Sequence, residues 1–380
     1  MQIRSKLPDV GTTVFSVIGD LAERHQAINL SQGAPNFPCA PELIDHAIDA
    51  MSEGHNQYAP MIGIAPLRNK IAEKIQLLYG HSYDEIDEVT VMGSASEALY
   101  CAIAALIHPG DEVIYFEPCF DSYAPLIQLQ SAKPVAIKLQ APAYAIDWEA
   151  VRDAVNDRTR MIIINSPHNP TGSILSDADI AALQQIVADT DIVILSDEVY
   201  EHMVFDQDIH RSMSRYEDLR ERAVVVTSFG KTFHVTGWRV GSCVAPAAIT
   251  AEIRKIHQFL MYSADTPMQY ALAAMMETPN HYLNLPTIYQ EKRDLLAHAL
   301  RKSKFDILPS RGGFFMLASF RQFSYLSDVQ MVRKLIEEFG VATIPVSAFY
   351  SDQTDLGVIR LSFAKDDATL EEGARRLCKL

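Results

Sequence analysis

Four stretches of the chain are apolar at nearly every position rather than at alternate ones. They are Glu112 to Phe116, Met161 to Asn165, Asp191 to Leu195 and Ala223 to Thr227. Strands buried on both faces read this way, and such strands belong to a largely parallel sheet. A shorter β-branched run, Val89 to Met92, stops at Gly93. Helical spacing of apolar residues falls between these runs. It covers Ala65 to Leu78, with Gly80 as its stop, and an Ala- and Leu-rich stretch ending at Ile107. Strands alternating with helices predict an α/β domain.

The pattern changes at both ends. The first thirty residues read as an arm with a helix near Thr13 to Arg24, followed by loop signals from Ser31 to Pro38. After about residue 280 a long polar helix, His281 to Ser303, leads to strand candidates Phe314 to Ala318, Val341 to Pro345 and Val358 to Phe363. The expected division is an arm with part of a small domain (1–40), a large domain (41–280) and a smaller α+β domain (281–380).

Composition narrows the class. The chain has 380 residues, 48% hydrophobic and 21% charged, which suits a globular enzyme larger than one simple core. A net charge of −15 offers no basic face for duplex nucleic acid or for anionic lipid. The five cysteines form no C-x-x-C pair and are odd in number, which argues against a metal site or a disulfide framework. No apolar leader follows Met1 and no apolar run reaches membrane-spanning length, so a cytoplasmic protein is expected.

In parallel sheets the ligand lies beyond the carboxyl ends of the strands. One strand ends in Ser196-Asp197-Glu198-Val199-Tyr200. A buried acid there needs a partner. The protonated pyridine nitrogen of pyridoxal 5′-phosphate (PLP) is one, since a carboxylate beside it keeps it charged. A helix cap is the bland alternative. Another strand ends in Ser166-Pro167-His168-Asn169-Pro170-Thr171-Gly172, either a plain turn or a site where Asn169 meets the cofactor's 3-oxygen beside Tyr200. A third ends in Ser228-Phe229-Gly230-Lys231, with Arg239 eight residues on. Lysine forms Schiff bases when burial and nearby positive charge lower its pKa, and Ser228 and Arg239 suit a phosphate. Ser-x-x-Lys also occurs in serine hydrolases. Gly93 to Leu99 opens a helix whose first amides suit an anion, or it is a tight capped turn. Arg360 stands among apolar residues, suited to a substrate carboxylate or to an internal ion pair.

Taken with Asn29 to Gly33, Asn56-Gln57-Tyr58, Asn169 to Gly172 and Ile359-Arg360, these segments resemble the class I, fold type I, PLP-dependent aminotransferases over essentially the whole chain. Within that family the sequence resembles most the kynurenine/glutamine transaminases and their bacterial relative, methionine aminotransferase. The resemblance implies the PLP-dependent transferase fold: a mostly parallel seven-stranded sheet between helices, with a smaller α+β domain. It implies that Lys231 bonds to the cofactor and serves as the catalytic base, and that Asp197 pairs with the pyridine nitrogen. Asn169 and Tyr200 would contact the 3-oxygen, and Phe120 the ring face. Ala95, Ser96, Ser228 and Arg239 would hold the phosphate. Tyr58 would reach the phosphate of a neighbouring subunit in a homodimer. Arg360 and Asn169 would bind the substrate carboxylate, with Gly33 beside it. Kynurenine and glutamine transaminases tend to carry Trp where this chain has Phe15, implying a differently shaped side-chain pocket.

The expected reaction is ping-pong transfer of an amino group from L-methionine, or from aromatic amino acids or glutamine, to a 2-oxo acid, with no metal. Cysteine-conjugate β-lyase and kynurenine–oxoglutarate transaminase activities are the near alternatives. A serine hydrolase built on Ser228 and Lys231 leaves Asp197, Asn169 and Arg360 without a joint purpose. A transcription regulator would need a basic DNA-binding module ahead of the region, at odds with the charge.

Overall fold

The computed structural model describes residues 3–380. The chain opens with helix α1 (Val14–Arg24), capped by the Thr13 side chain, and strand β1 (Ile28–Asn29). Helices α2 (Pro41–Ser52) and α3 (Ala65–Tyr79) follow, the latter ended by Gly80 at φ 82°. Then come β2 (Val89–Met92), α4 (Ala95–Leu106), β3 (Glu112–Glu117), β4 (Lys133–Lys138), β5 (Thr159–Asn165), β6 (Val193–Asp197), β7 (Ala223–Ser228) and β8 (Gly241–Val244). These strands form one seven-stranded sheet in the order β2-β8-β7-β6-β5-β3-β4. Every neighbouring pair is parallel except the two that β8 makes with β2 and β7. Residues of the central strands are almost all buried, which is why they read as unbroken apolar runs.

The remaining strands are β9 (Asp306–Ile307), β10 (Phe315–Ser319), β11 (Val341–Ala342), β12 (Ile344–Pro345) and β13 (Val358–Ser362). Four of them form an antiparallel sheet, β12-β13-β10-β9, and β11 pairs in parallel with β1. The start of the chain is therefore stitched to its C-terminal part.

The structure departs from the sequence expectations in five places. Strand β6 begins at Val193, not Asp191, because the Ile192 amide bonds the Thr190 hydroxyl in a turn. The long helix from His281 is broken: Asn280–Leu283 is one turn, and Pro286 starts a new helix at Leu285–Leu300, where its missing N–H costs nothing. Val341 to Pro345 is not one strand but two short ones in different sheets. Strand β4 was not foreseen; it lies at the sheet edge, its two lysines exposed, and shows no buried run. Strand β8 was missed because Gly-Ser-Cys-Val carries little β signal.

The unforeseen β8 matters for the site. Strands β2, β5, β6 and β7 all point their carboxyl ends to one edge of the sheet. Because β8 runs the other way, its beginning, Arg239-Val240-Gly241, arrives at that same edge. Gly241 makes the approach possible: a Cβ there would stand 2.7 Å from both the Ala95 amide nitrogen and the Thr227 carbonyl.

Candidate active site

At this edge lies a cleft of about 310 Å³. Every predicted site residue except Tyr58 lines it: Phe15, Gly33, Ala95, Ser96, Phe120, Asn169, Asp197, Tyr200, Ser228, Lys231, Arg239 and Arg360. They come from the arm, from the carboxyl ends of five strands (β2, β3, β5, β6 and β7), from the start of β8 and from β13. Leu99, Asn165, Val199 and Phe315 complete the lining and were not anticipated. Asn165 had a signal, since it ends a buried strand. Phe315 had none, because one ring in an apolar strand looks like any other. Tyr58 is 86% exposed and packs edge-on against Tyr262, away from the cleft of its own chain.

One end of the cleft is built for an anion. Helix α4 begins there, and its first amides, those of Ala95 and Ser96, have no carbonyl within the helix to bond. Ser228, paired with Gly241 beside the Ala95 amide, and Arg239 line the cleft with them. Two residues at this end hold backbone settings that L-residues rarely adopt, Ser94 at φ 150° and Arg239 at φ 56°. Such strain survives where surrounding structure enforces it, commonly at ligand sites.

The middle holds Asp197, the last residue of β6 and 4% exposed. Burial pushes its carboxyl up to about 6, against the opposing effect of a hydrogen bond from Tyr123. That bond, Tyr123 Oη to Asp197 Oδ2 at 2.7 Å, comes from a buried side chain behind the cleft. Asp197 has no ion-pair partner among the described residues. Asn165 fixes both neighbours, donating to the Asp197 carbonyl at 2.9 Å and accepting from the Asn169 amide at 2.9 Å. His168, held neutral by burial with its pKa down at about 3, bonds Thr171 and shapes the turn that carries Asn169.

Lys231 follows β7 on a one-turn helix, Phe229–Thr232. Its amine sits at the foot of the cleft, donating to the Gly33 carbonyl at 2.8 Å. Burial lowers its pKa to about 8, helped by the positive charges of Arg360 and Arg239. Near neutral pH an amine of that kind is available as the free base for a useful fraction of the time.

Arg360 is 1% exposed on β13. It donates to Asn169 Oδ1 at 2.8 Å and to the Ser31 carbonyl at 2.6 Å, and its Nε has no partner among the described residues. The rings of Phe315, Phe349 and Phe15 surround the guanidinium, their centroids at 3.9, 5.1 and 5.3 Å. Burial pulls its pKa to about 9, which leaves it a cation at neutral pH. Asp121 acts on this guanidinium through charge but does not bond it, and a buried guanidinium whose hydrogen bonds go only to neutral acceptors has capacity for a carboxylate.

These features suit PLP on the structure's own terms: an unpaired carboxyl, a buried amine of lowered pKa, and a helix start made accessible by Gly241. Comparison with known proteins agrees. The family described as aminotransferase class I and II matches residues 25–377. The chain belongs to the class I and II aminotransferases. Enzymes of this family depend on PLP. Methionine aminotransferase of Escherichia coli is 48% identical over 99% of this chain and 98% of its own. A crystal structure from the same organism, reported to identify a methionine aminotransferase function, superposes with a TM-score of 0.98 over 100% of both chains. A probable N-succinyldiaminopimelate aminotransferase of Mycobacterium tuberculosis is 38% identical over 99% of this chain and 98% of its own. No helix among the described residues is long and apolar enough to cross a membrane.

Proposed function

We propose that this aminotransferase takes its amino group from L-methionine, with aromatic amino acids or glutamine as further donors, and passes it to a 2-oxo acid. The carrying observation is the substrate end of the cleft. Phe15, Phe120 and Phe315 supply an aromatic lining, and Lys231, Arg239 and Arg360 are the only cations in it among the described residues. With Lys231 and Arg239 assigned to the cofactor, Arg360 alone remains for the substrate. It takes the α-carboxylate, and this chain's own described lining offers no second cation for a distal one. A thioether is favoured among aromatic rings by sulfur–aromatic contact. The likeness to the E. coli enzyme supports the same choice. An apolar pocket discriminates by only about 1–3 kcal/mol per methylene, so the range of donors is broad.

Lys231 would hold the cofactor through Nζ, and Asp197 would face its pyridine nitrogen. Asn169 and Tyr200 would meet its 3-oxygen, Phe120 its ring face, and Ala95, Ser96, Ser228 and Arg239 its phosphate. Bound there, PLP supplies an electron-accepting ring when the substrate's Cα–H bond breaks. Arg360 and Asn169 orient the substrate by its carboxylate, with Gly33 alongside. Lys231 Nζ, once the substrate amine took its place on the cofactor, would be the free base that takes the Cα proton and would serve again as the acid that returns it. Water would supply the oxygen of the departing 2-oxo acid while the amino group stayed with the bound cofactor, so ping-pong kinetics are expected.

Tyr58 belongs to the site of a second copy in this reading. Its exposure, beside exposed Phe259, Leu260, Met261 and Tyr262, supports a homodimer with shared sites. The reading also keeps the divisions 1–40, 41–280 and 281–380, and a cytoplasmic location, with which five free cysteines agree.

The test is the visible spectrum of the PLP-loaded protein with L-methionine and no oxo acid. Conversion to the pyridoxamine form is expected, and Lys231→Ala should abolish it. A band that ignores methionine but answers to glutamine or an aromatic amino acid would discard methionine and keep the transaminase.

A further inference from the structure

Three carbonyls of one short loop are each taken by a cation. Arg360 donates to Ser31 O at 2.6 Å, Lys231 to Gly33 O at 2.8 Å and Lys365 to Ala34 O at 2.6 Å. Arg360 and Lys231 line the cleft and Lys365 does not. A substrate carboxylate competes with Ser31 for Arg360, and a covalent bond at Nζ draws Lys231 from Gly33. Only the contact of Lys365 is untouched when the cleft fills.

That contact occupies a residue that is unfavourable to bury. Lys365 is 5% exposed, and its amine meets no side-chain acceptor among the described residues, only the Ala34 carbonyl. An ammonium buried without a hydrogen-bonded carboxylate is destabilising, with only the charge of neighbouring Asp366 to offset it, and an apolar side chain would fill the same space without that penalty. Its neighbour continues the clasp. The Asp366 amide donates to Asn36 Oδ1 at 2.7 Å, and Asn36 Nδ2 donates to Asp366 Oδ2 at 2.6 Å and to Thr369 at 3.0 Å. The loop is thereby fastened to the start of the helix Asp367–Leu377. On its other side, Leu30 bonds Ala342 and Ser362 through its backbone.

The seat so defined is tight. A Cβ on Gly33 would collide with the Phe315 ring. The same ring lies 3.9 Å from the Arg360 guanidinium. Displacing the loop therefore disturbs the stacking that aims Arg360.

We propose that Lys365 is a positioning residue for the substrate carboxylate: by holding the Ala34 carbonyl it seats the Ser31-to-Asn36 loop against Phe315 and fixes how Arg360 presents its guanidinium. The proposal rests on the reading of Arg360 as the carboxylate site. The test uses PLP-loaded enzyme and desaminomethionine, methionine without its α-amino group, as a competitive probe. Lys365→Met should weaken the probe and raise KM for methionine by about tenfold each, with kcat changing less than about threefold. Lys365→Arg should recover most of the loss. Unchanged probe affinity overturns the proposal, whether kcat holds or falls; a fall in kcat alone would mean that Lys365 acts on Lys231. Should Lys365→Met fail to fold, Asn36→Ala opens the same clasp without removing the charge. It should weaken the probe by about threefold, and no weakening overturns the proposal. Arg360→Lys separates the two readings. If it leaves the probe's affinity intact, the carboxylate role of Arg360 fails; if it weakens the probe while Lys365→Met does not, only the role of Lys365 fails.

Discussion

Two sides of one short segment, Ser196 to Met203, treat buried charge in opposite ways. Asp197 and Tyr200 face the cleft, and Glu198 and Glu201 face away from it. Behind the cleft each carboxylate is fully satisfied. Glu198 accepts from Ser196 at 2.8 Å, from the Met213 amide at 3.0 Å and from His210 at 2.7 Å. Glu201 pairs with buried Lys74 and accepts from Tyr79 at 2.7 Å. Burial alone would raise the pKa of Glu201; the charge of Lys74, with the hydrogen bonds from Lys74 and Tyr79, outweighs it and holds the group at about 2. Asp197 is as deeply buried, lacks such a partner, and rises to about 6. Saturated charges on the back hold the segment in place. Unsaturated ones on the front leave room for a ligand to complete them. Three buried cations show the same contrast: Lys74 is paired, whereas Lys231 and Arg360 in the cleft rest on neutral acceptors.

The largest effect that sharpens this contrast is on activity. Lys231→Ala should lower turnover by at least about 10⁴-fold, since it removes both attachment and base. Thermal unfolding of the cofactor-free protein should not fall, because the amine it removes was buried without an ion pair. A marked drop in Tm would show that the front charges are structural after all.

On the back the order reverses. Lys74→Met strands the Glu201 carboxylate and should cost about 3–5 kcal/mol in denaturant unfolding. The double variant Lys74→Met/Glu201→Leu should recover much of that, because no charge is left unpaired. A double variant no better than the single would mean that packing, not charge, sets the cost.

Asp197→Asn gives the two sides opposite signs in one residue. In the cofactor-free protein the folded carboxyl titrates near 6 and the unfolded one near 3.8. The folded chain then binds more protons between those values, so the contribution is full below about 3.8 and is lost as pH rises through 6. Removing the charge should raise stability near pH 7.5 by about 2–3 kcal/mol, while activity falls by roughly 10²–10⁴-fold. No gain in the cofactor-free protein would mean that Asp197 has a cationic partner.

The sequence exposed the front of this segment better than the back. Strands buried on both faces leave unbroken apolar runs, so their ends, and hence Asp197, Asn169 and Lys231, could be located one by one. Strand β8 left no such trace, yet its reversed direction explains why Arg239 meets the helix start at Ala95. Tyr123 lies in an apolar helical stretch, where nothing marks a hydroxyl aimed at Asp197. The clasp between Lys365 and Ala34 joins residues 331 positions apart. Local periodicity carries no information over that distance. Nothing along the sequence pairs Glu201 with Lys74 or Glu198 with His210; only the fold brings them together.

The smallest effect concerns the histidines that burial keeps neutral. His168, beside the cleft turn, and His202, behind it, are each lowered from 6.5 to about 3 by burial. Between those values the unfolded chain binds a proton that the folded chain refuses. Stability from each is therefore complete above about pH 6.5 and is lost as pH falls toward 3, by about 1.4 kcal/mol per pH unit and per histidine. Glu201 adds a second loss with the same sign, but only below 4.5, as the pH approaches 2. Denaturant midpoints of the parent and of each histidine variant, measured at intervals from pH 7 to pH 5, isolate each histidine by difference, since Glu201 stays ionised throughout and the titration of Asp197 near 6, of opposite sign, is common to all. His168→Gln should flatten the slope by about one proton's worth, 1.4 kcal/mol per pH unit. His202→Gln should do the same, although one residue sits beside the cleft and the other behind it. Equal slopes from both would show that acid sensitivity follows burial alone. A slope left unchanged by either substitution would mean that the histidine opens to solvent before it titrates.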